Sequence, residues 1–268
     1  MSTAPAGAGY RRRWDRTVLR LQARLDDRAA DRVLPWAGAL LVFAVFVALD
    51  AAAIRALEGG SGLGPWLQAA WGRETGTAID PVSGVDPARA TWSLVSEPIL
   101  WATRHVPPEA VFSLVQAAAI ALGVVPLWRL ARDEARLRVG ATAVVTTAYA
   151  LAPTLHRANL SSFHPELLAL PALLWAYLRA RQERWLAYGI LVALVLSCRA
   201  DLGVTVAALG LLLVVRGAVR PGLVTSAAGI LWSGAALLVI DPQVPDAALT
   251  PAGEFVARSV TPLAMVPR

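Results

Sequence analysis

The chain has 268 residues, 56% of them hydrophobic and 16% charged, against roughly a quarter charged in a soluble domain. Its mean hydropathy is +0.53, and the apolar residues fall in blocks parted by short polar linkers. This excludes one large soluble core and indicates an all-α, polytopic transmembrane bundle of about seven spans. The net charge of +6 rests entirely on arginine, clustered at segment ends, so positive-inside topology accounts for the charge and a nucleic-acid partner is not needed.

In chain order, residues 1–32 form an N-terminal cytoplasmic segment. Arg11, Arg12 and Arg13 precede Trp14, Val18, Leu21 and Leu25 at helical spacing, which fits either an amphipathic helix on the membrane surface or a solvated basic tail. The transmembrane domain, 33–240, opens with a span over 34–54. Asp50 falls in the last part of that span, where a carboxylate is costly, and a local pair with Arg55 is expected.

Further spans are expected at 110–130, 139–155, 165–177, 185–197, 202–215 and 222–240. Several are shorter than the roughly 20 residues that cross hydrocarbon, so they extend into their linkers or pair as broken helices. Residues 241–268 form a Pro-rich extracytoplasmic tail. The single Cys198 excludes an intrachain disulfide.

The linkers alternate in character. One holds Arg129, Arg132, Arg136 and Arg138; another holds Arg179, Arg181 and Arg184; a third holds Arg216 and Arg220. Placing these with Arg11, Arg12 and Arg13 on the cytoplasmic side satisfies the positive-inside rule. The 56–109 loop, the 156–164 loop, the 198–201 turn and the tail then all face outward, so the remaining polar clusters share one face.

The first outward loop is long for a helix–helix connection and is expected to carry structure of its own. It holds Gln68, Asp80, Asp86, Glu97 and His105 with Trp66, Trp71, Trp92 and Trp101 interleaved. An aromatic belt with solvated acids, or an interfacial helix over 92–105, both fit. Phe163-His164-Pro165-Glu166 stands at the mouth of an apolar segment. Pro165 suits a first helical position, Glu166 complements the helix dipole, and Ser162 or His164 would cap. The same geometry would let His164 and free N–H groups hold a phosphate, with Glu166 as a base or as a metal ligand beside His164. Arg199-Ala200-Asp201 separates two apolar segments. Arg199 either snorkels or binds phosphate oxygens, and Asp201 either caps the next helix or pairs with a neighbouring charge.

These residues resemble a family of bacterial membrane proteins known as the domain of unknown function twenty seventy-nine. The likeness runs over 62–215 and rests on Leu63-Gly64 with Gln68 and Trp71, on Ser96-Glu97-Pro98, and on Gln116. It continues through Pro126-Leu127, Leu130-Ala131-Arg132, Phe163-His164-Pro165-Glu166 and Arg199-Ala200-Asp201. Phe-His-Pro-Glu is the most specific part. The family is similar in layout to C-type glycosyltransferases, which take lipid-phosphate sugar donors on the extracytoplasmic side.

The resemblance implies an inner-membrane protein that transfers a sugar from a polyprenyl-phosphate donor. Glu97, Glu166 and Asp201 would be the catalytic carboxylates; Gln68, His164 and Arg199 would bind substrate; a divalent metal would be the cofactor and membrane lipid a partner. The chain departs from the family pattern at Gly62, at Val95-Ser96-Glu97-Pro98 and at Ala200, losing two carboxylates and a histidine. It also stops short of the family's usual extent. The alternative implied is a non-catalytic scaffold or lipid-binding paralogue with an eroded site.

Overall fold

A computed structural model describes residues 28–56, 63–75 and 93–236. The expectations for 1–27, for Asp80, Asp86 and Trp92, and for the tail lie outside these residues. Among the described residues all regular structure is helical.

Among the described residues two helices are long and apolar enough to cross a membrane, and they sit differently in the bundle. Only 17% of the apolar stretch of α1 (Arg28–Arg55) is buried inside the protein, against 61% for α4 (Pro108–Arg129). α4 is therefore the central post. Phe46 of α1 meets Ala117 and Ile120 of α4, while much of the rest of α1 presents Leu40, Leu41 and Val45 outward. An apolar helix exposed on most of its circumference is stable in lipid and not in water.

Between them, α2 (Gly64–Thr75) and α3 (Ser96–Ala102) cover one end of the bundle. Trp66, Ala69 and Ala70 pack with Ile99, Leu100, Phe112 and Phe163. Val95 N–H donates to Ser197 O at 3.1 Å, which docks the start of α3 beside the Arg199 turn.

Proline sets the breaks. Pro108 opens α4, which runs on into a π turn at Leu130–Glu134. The stretch 139–155, expected as one span, is two helices: α5 (Val139–Ala150) and α6 (Pro153–Ser161). Pro153 disfavours helical geometry at Ala152 and then serves as a first helical residue. The 156–164 loop is accordingly helical over most of its length. The span expected at 165–177 starts as a 3₁₀ turn, Pro165–Leu168, outside α7 (Ala169–Arg181).

α8 (Trp185–Cys198), α9 (Leu202–Val215) and α10 (Val219–Ala235) complete the described chain. α7 and α8 share a core of Ala172, Ala176, Tyr188 and Val195. In lipid, helices associate by close packing of small residues rather than by expelling water. α9 and α10 show this. A methyl group on Gly210 would lie 2.6 Å from Gly222 O, so the two backbones meet where only glycine fits.

Candidate functional site

The sequence-predicted residues His164, Glu166, Arg199 and Asp201 come together at the end of the bundle covered by α2 and α3. Arg199 is the hub. Its Nη1 donates to Glu166 Oε1 at 3.0 Å, and its Nε lies 3.1 Å from Asp201 Oδ1. His164 Nδ1 is 3.3 Å from the same Glu166 oxygen, and His164 Nε2 is 3.3 Å from Ser161 Oγ. The four side chains are 19–31% exposed, sheltered but within reach of a ligand.

Neither capping expectation describes these groups. His164 and Asp201 occupy N-cap positions, of the 3₁₀ turn and of α9, and make no side-chain cap hydrogen bond. Asp201 faces Arg199 instead, and Arg199 is ion-paired rather than snorkelling. The Nε–Oδ1 approach is close but misaligned, so Arg199 Nε and Asp201 Oδ1 are buried with no hydrogen-bond partner. One N–H and one carboxylate oxygen thus remain to be satisfied at the centre of the cluster.

The two carboxylates are driven apart. Burial pushes Glu166 up, but His164, its own backbone N–H and the Arg199 charge outweigh burial and hold it below its ordinary value. For Asp201 burial wins over Arg199, with Glu166 adding repulsion, so it is held above. The two shifts run in opposite directions, so of the two carboxylates Asp201 holds a proton the more readily.

Gln116 of α4, in the sequence only one residue of the family resemblance, is the support of this cluster. Its Nε2 donates to Asn159 O and Ser162 O, each at 3.1 Å, and its Oε1 accepts the His164 backbone N–H at 2.8 Å. One buried amide thereby fixes the chain on both sides of Phe163, which itself packs edge-on to Trp66. Asp50 belongs to the same layer. It accepts from Ser113 Oγ at 2.7 Å and from Asn159 Nδ2, not from Arg55 as expected. A cavity of about 40 Å³ between Asp50, Ser113, Asn159 and Ser161 has room for a water. A carboxylate inside an apolar span was the signal available for this layer.

The other predicted residues stand apart. Glu97 is 56% exposed and accepts from Arg73 Nη2 at 2.6 Å. Gln68 is half-buried on α2, and no hydrogen bond among the described residues joins it to the cluster. His164 and Glu166 are placed to share a cation, but no group of three His, Cys, Asp or Glu side chains suited to a metal forms among the described residues.

No curated protein and no solved structure matches the chain. The family model described as "Predicted membrane protein (DUF2079)" matches residues 98–263, more than half of the chain and the whole of the His164–Asp201 cluster. The chain therefore belongs to this family of membrane proteins of unknown function.

Proposed function

We propose that the protein is a multi-pass bacterial inner-membrane protein with its N-terminus in the cytoplasm, and that it transfers a sugar from a polyprenyl-phosphate donor at the extracytoplasmic face. The observation that carries this reading is the misaligned ion pair at the centre of the cluster, Arg199 Nε and Asp201 Oδ1, 3.1 Å apart and without a hydrogen bond. A phosphate oxygen satisfies the first and an acceptor hydroxyl the second. His164, paired with Glu166, adds a second contact to the phosphate. Asp201, the carboxylate with the greater affinity for a proton, takes the hydroxyl proton. The acceptor oxygen bonds to the anomeric carbon as the bond from that carbon to the phosphate oxygen breaks, and polyprenyl phosphate leaves.

The arginines support this topology. Arg129, Arg132, Arg179 and Arg181 gather at the end opposite the cluster, where cytoplasmic charge belongs. A sugar-transfer assay on membranes, with a polyprenyl-phosphate sugar as donor, tests the chemistry. Wild type is expected to transfer, Asp201→Asn to lose about a hundredfold or more, and His164→Ala to lose less. Absence of transfer by wild type, or full transfer by Asp201→Asn, overturns it.

One observation favours a second reading, a non-catalytic lipid-binding scaffold. Arg199 already neutralises Glu166 and half-faces Asp201, so the cluster can also serve as a closed ion network. That reading expects polyprenyl phosphate to raise the thermal midpoint of a protein that transfers nothing.

A further inference from the structure

At the opposite end of the bundle the arginines divide into two kinds. Arg132 is matched by Asp31, with Nε and Nη2 each 2.9 Å from a carboxylate oxygen, and Arg181 is matched by Glu134 at 2.9 Å. Arg129 and Arg179 are not matched. Their guanidinium carbons lie 5.5 and 5.1 Å from the centre of the Trp175 ring, and Arg179 Nη1 donates only to the neutral Gln182 Oε1, at 2.8 Å. Arg184 adjoins Arg179, its backbone N–H donating to Arg179 O at 3.0 Å. Among the described residues no carboxylate pairs with any of these three.

We propose that Arg129 and Arg179, stacked on Trp175, form with the adjoining Arg184 a binding site for the phosphodiester headgroup of an anionic phospholipid. Three neighbouring cations repel one another until an anion sits among them. A guanidinium stacked on an indole keeps its N–H edge free, and that edge matches two phosphate oxygens at once. The height is also right. Arg129 is the last residue of α4 and Arg179 lies in the last turn of α7, while Trp175 is packed against Ala39, Val124 and Val125. The site therefore stands where a membrane-crossing helix leaves hydrocarbon for headgroups, and basic sites between helices at that depth take acidic lipids. The inference is independent of any sugar transfer.

Native mass spectrometry of the detergent-purified protein tests it, with phosphatidylglycerol, phosphatidylcholine or inorganic phosphate added. Wild type is expected to retain phosphatidylglycerol over phosphatidylcholine by about tenfold or more, a preference lost in Arg129→Gln/Arg179→Gln and kept in Arg216→Gln/Arg220→Gln. Circular dichroism checks the fold, and Arg179→Gln alone, expected to lose part of the preference, replaces the double variant if that does not fold. Equal preference in wild type and the Arg129/Arg179 variant overturns the site. So does an equal loss in the Arg216/Arg220 variant, which would show diffuse charge, or displacement of the lipid by inorganic phosphate, which would show a free-anion site.

Discussion

At the arginine end, Asp31 takes two nitrogens of Arg132 at 2.9 Å, and Trp128 Nε1 adds a third contact at 3.3 Å. This ties the first turn of α1 to the π turn 101 residues later. At the opposite end Arg199 divides one guanidinium between Glu166 and Asp201, and the segments it joins are held independently, by Gln116 and by the docking of Val95 on Ser197. The first arrangement is saturated and holds helices together. The second is unsaturated and rests on a frame built by other residues. Charged groups that a fold does not need for its own assembly are the ones available to a ligand.

Breaking the frame should cost most. Gln116→Leu strands the Asn159 and Ser162 carbonyls and the His164 N–H in a buried site, each without its partner. We expect a loss of about 3 kcal/mol, read as a lowered thermal midpoint in detergent, with transfer lost as well. Arg199→Ala leaves two sheltered carboxylates facing each other, and we expect a smaller loss of about 2 kcal/mol. Asp31→Asn should cost about 1 kcal/mol, because that pair is partly solvated, and should leave transfer unchanged. If Asp31→Asn abolishes transfer while Arg199→Ala does not, the contrast between the two ends fails.

Acidity sharpens the same contrast. Glu166 is held below its ordinary value of 4.5, so its contribution to stability is full above that value and is lost as pH falls through its folded value. Asp201 is held above 3.8, so protonated Asp201 favours the folded state, and this contribution is lost as pH rises through its folded value. Thermal midpoints measured across the acid range should show a flatter acid limb in Glu166→Gln and a flatter limb above it in Asp201→Asn. Unchanged limbs in both variants would mean that neither carboxylate is perturbed.

The helical class, the arginine end and the meeting of His164-Pro165-Glu166 with Arg199-Ala200-Asp201 were legible in the sequence. Apolar blocks and flanking charges are one-dimensional signals, and the lipid environment makes them binding. The frame was harder to see. Gln116 acts on backbone carbonyls, which have no residue identity, from within a stretch whose periodicity says only that it is buried. Nearness in sequence points Asp50 to Arg55, yet its partners lie 63 and 109 residues away. The break at Pro153 was a local signal, overridden by continuous apolarity on either side.

The smallest expected effect on stability decides the most about chemistry. Glu97, 56% exposed, pairs with the more sheltered Arg73 at 2.6 Å, and pairs open to solvent on one side contribute about 1 kcal/mol, so Glu97→Gln should lower the thermal midpoint only slightly. Its helix nonetheless docks against the Arg199 turn through Val95 and Ser197, which keeps Glu97 at the same end of the bundle. With Asp201 as the proton acceptor, Glu97→Gln retains transfer within about threefold of wild type, a loss too small for a general base. A loss of about a hundredfold or more in a protein of unchanged stability would move the base from Asp201 to Glu97. The cluster around Arg199 would then hold the phosphate alone, and the chemistry would belong to the first loop.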